Sequence, residues 1–279
     1  MSNNNDTIKH MNEKIGVGIV TCNREETFWK SWKSLEKCSH LLDEVVVIND
    51  GKPYSANPTF YSAPQEIIQH NKNLGVGKSK NEALKFLLEK GCDHIFLIED
   101  DIFIKDESVF QRYIDASKKS GIQHFNFSQH GLANKTSEGK PNPHNVVNYD
   151  GCNIEFYQHC VGAFSYYSRK CLEECGLMDE DYYNACEHVD HTYEIIKKGM
   201  HPPFWYFADI KNSNEYLGDD GWSIETSSIC SAPDFRKNVM EADQIFVKKH
   251  GHLPMQTPTM SVQQFYQNLK EIKKNYELK

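Results

Sequence analysis

Three consecutive carboxylates, Glu99-Asp100-Asp101, sit between two β-forming apolar runs, Ile95-Phe96-Leu97-Ile98 and Ile102-Phe103-Ile104. Carboxylates repel one another at this spacing, and strand interiors disfavour them. The apolar flanks draw the segment into a core while the acids draw it toward water. A buried strand that ends at Ile98 and delivers the acids to the rim of a sheet meets both demands. A rim cluster of acids is where a divalent cation, usually with a phosphate, is held. The competing reading is a solvated acidic turn between two strands.

Other chemistry-bearing patterns are weaker. Gly77-Lys78-Ser79 ends like a phosphate-binding loop, but G-x-x-x-x-G-K-S/T needs glycine where Lys72 stands. Cys152, Cys160, Cys171 and Cys175 are candidate zinc ligands, yet they lack the paired spacing of structural zinc sites. His188 and His191 lack an evident third ligand. Glu187, Asp190, His191 and Glu194 fall at i, i+3, i+4 and i+7, on one face of a helix. An acid at the start of that helix is also favoured by the helix dipole alone.

The elements that would carry these groups alternate. Residues 15–21, 44–48, 66–69 and 94–98 read as strands. Phe28, Trp32 and Leu35 recur at helical spacing, and a helix is expected over 78–90 with Leu84, Leu87 and Leu88 as its apolar stripe. Near-continuous apolar strands between helices predict a mostly parallel sheet covered on both faces. In such sheets ligands gather outside the carboxyl ends of the strands. The polar clusters 21–24, 49–51 and 99–101 all lie there, which favours a nucleotide site over three unrelated turns.

In the second half, strands are expected near 122–128 and 204–210, an aromatic alternating tract over 153–167, and helices over 168–175, 185–198, 231–250 and 261–278. The aromatics Tyr157, Phe164, Tyr166 and Tyr167, with His159, Trp205 and Trp222, suit either a core or a sugar-stacking surface. Residues 218–222 read as a mobile loop.

The whole chain bounds the answer. A net charge of −8 over 279 residues disfavours nucleic-acid binding through bulk electrostatics. No apolar stretch is long enough to span a membrane, and residues 1–14 lack the apolar core of a signal peptide, reading instead as a flexible polar tail. Nine cysteines, odd in number and irregular in spacing, suggest reduced thiols in the cytoplasm.

Taken together, the motifs resemble the family 2 glycosyltransferases of GT-A fold, whose pattern is T-x-N-R, D-D-G, N-x-G-x-x-x-A-x-N and D-x-D. Thr21-Cys22-Asn23-Arg24 matches the first. Asn49-Asp50-Gly51 keeps the second acid of the next. Asn73, Gly75 and Asn81 keep the third, with Ser79 where the family often has alanine. Glu99-Asp100-Asp101 matches D-x-D with glutamate first. The resemblance covers roughly residues 14–215. It implies a GT-A domain over 15–230, with a nucleotide-binding half 15–105 and an acceptor half 106–230. A helical C-terminal extension, 231–279, follows.

The resemblance further implies metal-dependent, inverting transfer of a sugar from a UDP-sugar to an acceptor hydroxyl on a glycan or lipid-linked glycan. Mn²⁺ or Mg²⁺ would be held by Asp101 with Glu99. Thr21, Asn23, Arg24, Asp50, Asn73, Gly75, Lys78, Glu99 and Asp100 would bind the nucleotide sugar, with Asp50 accepting from the uracil ring. Gly176-Leu177-Met178-Asp179-Glu180 and Glu187-His188-Val189-Asp190 correspond to the family's G-G-F-D-E and E-D-x-D. His188 stands where the family usually has aspartate, so the base is sought among Glu187 first, Asp190 second, and His188. The lysines of the last helix suggest a peripheral contact with an anionic membrane face. The alternatives are an inactive nucleotide-sugar-binding module and a nucleotidyltransferase, though the latter calls for a glycine-rich loop where Cys22-Asn23-Arg24-Glu25-Glu26 stands.

Overall fold

Strand β1 (Ile15–Thr21) alternates glycine on one face with branched aliphatics on the other, and both faces are covered. A β-carbon on Gly18 would lie 2.8 Å from Ala83 Cβ, so the glycine lets helix α2 (Val76–Glu89) press against the sheet. Val17 and Ile19 point the other way, into a cluster with Phe28, Trp32 and Leu35 of α1 (Glu25–Glu36). This computed structural model describes residues 13–56, 65–219 and 227–278.

β1 lies inside a six-stranded sheet. Its neighbours β2 (Glu44–Asn49) and β4 (His94–Glu99) run parallel to it, with Val17 opposite both Val45 and Phe96. β3 (Gln65–Gln69) continues the parallel run beyond β2. β5 (Ile102–Ile104) follows the acids, and α3 (Val109–Ser120) joins α1 on the same side of the sheet. β6 (His124–Asn126) closes the far edge. β7 (Asn145–Tyr149) and β8 (Cys152–Tyr157) belong to a separate antiparallel sheet. β9 (Phe164–Ser168) runs antiparallel between β4 and β6, giving the order β3-β2-β1-β4-β9-β6. α4 (Arg169–Cys175) and α5 (Glu187–Lys197) lie on the α2 side, where Cys171, Leu172 and Ile195 meet Leu84, Leu87 and Leu97. β10 (Phe207–Ile210) completes the small sheet. After the single turn α6 (Ser213–Tyr216), β11 (Leu217–Asp219) pairs with β5. α7 (Phe235–His250) and α8 (Val262–Glu277) end the chain.

The mixed sheet flanked by helices is the expected class. Four details differ from the sequence reading. The aromatic tract 153–167 is two strands in two different sheets, and Tyr157, Phe164, Tyr166 and Tyr167 are core residues, each no more than 1% exposed. None is a sugar platform, and His159 is exposed outside the core. The expected strand at 204–210 begins only at Phe207, because the chain turns at Trp205 with φ 75°. Trp205 donates its indole N–H to Thr257 O. Gly218 and Asp219 are strand rather than loop, while 220–222, with Trp222, lie outside the described residues. Finally, α8 spends its apolar stripe, Phe265, Leu269 and Ile272, on the main core, which leaves that stripe unavailable to a bilayer. No helix among the described residues is long and apolar enough to cross a membrane.

Candidate active site

Thr21, Asn49 and Glu99 end three parallel strands, and the loops after them converge. Arg24, at the start of α1, reaches across and donates from Nη1 to Asp100 Oδ1 at 2.9 Å and Asp101 Oδ2 at 3.1 Å. The Thr21 hydroxyl donates to Asp100 Oδ2 at 2.9 Å and also meets the Tyr54 hydroxyl. Burial pushes the Asp100 carboxyl up to about 7, against the pull of Arg24 and Thr21. Asp101 is 5% exposed, and its Oδ1 is buried with no hydrogen-bond partner among the described residues. An unpartnered buried carboxylate oxygen is the kind of donor a hard divalent cation takes, although the oxygens of Glu99, Asp100 and Asp101 do not gather into one three-ligand group here.

A cavity of about 320 Å³ opens over this edge, lined by Thr21, Asn23, Arg24, Asp50, Asn73, Glu99 and Asp100 among others. Seven of the nine expected nucleotide-sugar residues are thus brought together. Asp101 lines neither this cavity nor the one beside it; Asp100 is the acid that faces the cavity with Glu99. Gly75 shapes the rim instead of lining it. At φ 95° it adopts a backbone that disfavours side chains, and a β-carbon there would lie 2.7 Å from the Tyr183 ring. Lys78 is exposed and lines neither cavity.

Asp50 is more tightly engaged than expected. Its Oδ1 accepts from Leu74 N at 2.7 Å and faces His70 Nδ1 at 2.7 Å, while Oδ2 accepts from Gly75 N at 2.9 Å. It therefore fixes the loop that starts α2. His70 Nε2 lies 2.5 Å from Glu82 Oε2. Burial opposes charge on His70, but its hydrogen bonds to Asp50 and Glu82 raise its pKa overall.

The residue that sequence reasoning missed is Lys80. It is 1% exposed, and its Nζ lies 2.7 Å from Glu99 Oε1 and donates to Glu187 Oε1 at 3.0 Å and Gly162 O at 3.1 Å. Burial opposes its charge, yet the two carboxylates keep it protonated well above the usual lysine range. Glu187, 3% exposed at the first turn of α5, is likewise disfavoured by burial, but Lys80 and then His188 hold it well below the usual carboxylate range. The signal was present in the sequence: Lys80 lies four and seven residues before Leu84 and Leu87, on the inward face of α2. Asn81, one residue on, accepts from Met178 N and donates to Met178 O, stitching α2 to the turn before α5.

A second cavity, of about 330 Å³, adjoins the first and shares Val76, Glu99, Asn184 and Ile229 with it. Glu187 and His188 line it. Asp190 does not. It is 1% exposed and faces α7, where its Oδ1 accepts from Tyr182 Oη and pairs with His250 Nε2 at 2.7 Å, and its Oδ2 accepts from Lys249 Nζ at 2.6 Å. Its candidacy as base is therefore replaced by a structural role. Asp190, Glu194 and His250 group closely enough for a cation, but Lys249 already lies on both carboxylates. Among the described residues, Cys152, Cys160, Cys171 and Cys175 form no metal-binding group.

Comparisons with known proteins bear on the fold and the family. An uncharacterised glycosyltransferase of Acanthamoeba polyphaga mimivirus is 28% identical over 232 residues, covering 77% of this chain and 85% of its own. Residues 1–349 of S. aureus TarS, solved in complex with UDP, superpose with a TM-score of 0.54 at 15% identity, over 93% of this chain and 70% of that one. The mannosyltransferase PcManGT of Pyrobaculum calidifontis, solved with GDP-Man and Mn²⁺, gives 0.55 at 12% identity, over 93% and 69%. Against a longer structure of TarS the match spans only 33% of that chain. The family model described as glycosyl transferase family 2 matches residues 16–176, the stretch that holds Thr21, Asp50, Lys80 and the three acids, and the chain belongs to that family.

Proposed function

We propose that the protein transfers a sugar from a UDP-sugar to an acceptor hydroxyl, assisted by a divalent cation and with inversion at the anomeric carbon. The observation that carries this reading is the cavity of about 320 Å³ over the converging strand ends, lined by Thr21, Arg24, Asp50, Glu99 and Asp100, with the buried, unpartnered Asp101 Oδ1 next along the chain. Asp101 and Glu99 would hold Mn²⁺ or Mg²⁺, with Asp100 as their neighbour. When bound, the cation neutralises diphosphate charge and so makes the nucleotide a better leaving group. TarS has been solved with UDP, and PcManGT with a nucleotide sugar and Mn²⁺.

The protein's own groups divide the rest of the work. The Arg24 guanidinium sits between the acids and the cavity rim, where it offsets the acids' mutual repulsion. Asp50 pins the backbone at 74–75, keeping Asn73 at the mouth of the cavity. A direct displacement needs a base on the acceptor side, because the hydroxyl must lose its proton as it attacks. The adjoining cavity, with Glu187 and His188 in its wall, is the acceptor side. A glycan or lipid-linked glycan hydroxyl is the acceptor class.

Thermal denaturation with Mn²⁺ and a panel of UDP-, GDP- and CDP-sugars tests the donor. A true donor at 100 times its Kd adds about 2.7 kcal/mol. The UDP-sugars should stand out; a shift only with GDP- or CDP-sugars, or none with any, contradicts the reading.

A further inference from the structure

We propose that His188 is the general base of the transfer, accepting the acceptor's proton at Nε2, and that Glu187 positions it. This rests on the donor reading above and concerns its acceptor side.

Of the three candidate groups on α5, geometry removes Asp190, and the Lys80 ammonium disfavours Glu187. Both oxygens of Asp190 are engaged by Tyr182, Lys249 and His250, and the residue lines neither cavity. Glu187 is in the cavity wall, but its Oε1 already meets both Lys80 Nζ at 3.0 Å and His188 Nδ1 at 3.2 Å. A carboxylate stabilised by a buried ammonium is a poor proton acceptor. The His188 side chain keeps 23% of its surface exposed and lines the same cavity as Glu99.

The tautomer follows from the partner. Lys80 keeps Glu187 ionised, so Glu187 has no proton to give. Its contact with Nδ1 is a hydrogen bond only if Nδ1 carries the proton. Nε2 is then the basic nitrogen. As the acceptor oxygen bonds to the anomeric carbon, the bond from that carbon to the phosphate oxygen breaks. UDP leaves with the electron pair, and the proton passes to Nε2. The imidazolium so formed is stabilised by the Glu187 carboxylate.

The ring is also held from beneath. A β-carbon on Gly162 would lie 2.6 Å from His188 Cγ and 2.8 Å from Nδ1, so the imidazole rests on bare backbone there. The carbonyl of that glycine accepts from Lys80 Nζ. One ammonium thus fixes both the partner of the ring and the surface under it. The other titratable groups around the ring are Lys80 from α2, Glu99 from β4, His124 from β6, His130, and the cysteines 160, 186 and 230. Burial holds His124 neutral and pushes the Cys160 and Cys186 thiols up to about 12. None of those three competes for the proton near neutrality.

Hydrolysis of a UDP-sugar, with water as acceptor, reads the base directly. UDP-glucose, UDP-galactose and UDP-N-acetylglucosamine are compared with Mn²⁺, and the sugar turned over fastest by the wild type is used. His188→Gln should keep UDP affinity within about 2-fold and lose at least ~100-fold in kcat. His188→Asp should recover at least ~10-fold of that loss, with the acidic limb of its pH profile moved down. Glu187→Gln should move the acidic limb of kcat with donor KM unchanged; where it fails to fold, the His188 variants carry the test. Turnover by His188→Gln within about 3-fold of wild type overturns the proposal. Nitrogen–proton correlation spectra of the wild type give a readout independent of turnover. A ring protonated at Nδ1 and bare at Nε2 supports the assignment, and the opposite tautomer overturns it. A wild type that binds no UDP overturns the donor reading and this proposal with it; UDP binding together with the opposite tautomer overturns this proposal alone.

Discussion

The Lys80 ammonium on α2 lies 3.0 Å from the Glu187 carboxylate at the start of α5, and both side chains are withdrawn from water. The pair joins the two halves of the site. Lys80 also meets Glu99, on the side proposed to hold the donor, and Glu187 meets His188, on the side proposed for the acceptor. Removing one partner of a buried ion pair leaves an uncompensated charge and costs about 3–5 kcal/mol. Lys80→Met should therefore destabilise the fold by that amount in urea, and Lys80→Met with Glu187→Gln should recover part of the loss. A Lys80→Met protein within about 1 kcal/mol of wild type would show the pair to be incidental.

The same pair sets an acid dependence. The pKa of Glu187 is lowered on folding, so its contribution is complete above the ordinary glutamate value of 4.5 and is lost as pH falls below it toward the folded value. Wild type should lose stability over that range more steeply than Glu187→Gln, measured as urea midpoints between pH 6 and pH 3. Parallel profiles would contradict the assignment.

Asp190 separates a structural role from a catalytic one. It ties α5 to Lys249 and His250 of α7, and burial of Lys249 is outweighed by its bonds to Asp190 and Asp179, which raise its pKa. Asp190→Ala should cost about 2–4 kcal/mol, since it strips partners from buried and half-buried charged groups. UDP affinity should stay within about 3-fold of wild type. A variant of unchanged stability that has lost turnover would restore Asp190 as the base.

Much of the donor side was legible in the sequence because strand ends are legible. Apolar runs that stop at Thr21, Asn49 and Glu99 put the following polar residues on one edge, whatever the rest of the chain does. The acceptor side was harder. Whether Glu187, His188 or Asp190 faces a cavity depends on how α5 is rotated, and α7 captures Asp190 from 60 residues away. Lys78 attracted attention as part of a phosphate-loop remnant, while Lys80 sat unnoticed on the face shared with Leu84 and Leu87. A lysine on an apolar stripe was the informative departure. The aromatics at 157–167 misled for the opposite reason: their alternation marks strands, and only tertiary packing distinguishes a core face from a binding face.

His70 couples pH to the loop that begins α2. It bridges Asp50 and Glu82, and those hydrogen bonds raise its pKa in spite of burial. A raised histidine contributes fully below its ordinary value of 6.5 and loses that contribution as pH rises through the folded value. His70→Gln should therefore cost about 1–3 kcal/mol at pH 6 and less at pH 9. Urea denaturation of both proteins at the two pH values checks this; a cost that grows with pH would contradict it.

Donor binding through a divalent cation at Asp101 and Glu99 is measured most directly by calorimetric titration of UDP. The titration is run in Mn²⁺ and again in EDTA, for wild type and for Asp101→Asn. Wild type should bind at least about 10-fold more tightly with Mn²⁺, a difference of about 1.4 kcal/mol, and Asp101→Asn should bind equally weakly in both. Wild-type affinity that is indifferent to chelation, or an Asp101→Asn protein that keeps the full Mn²⁺ enhancement, would contradict it.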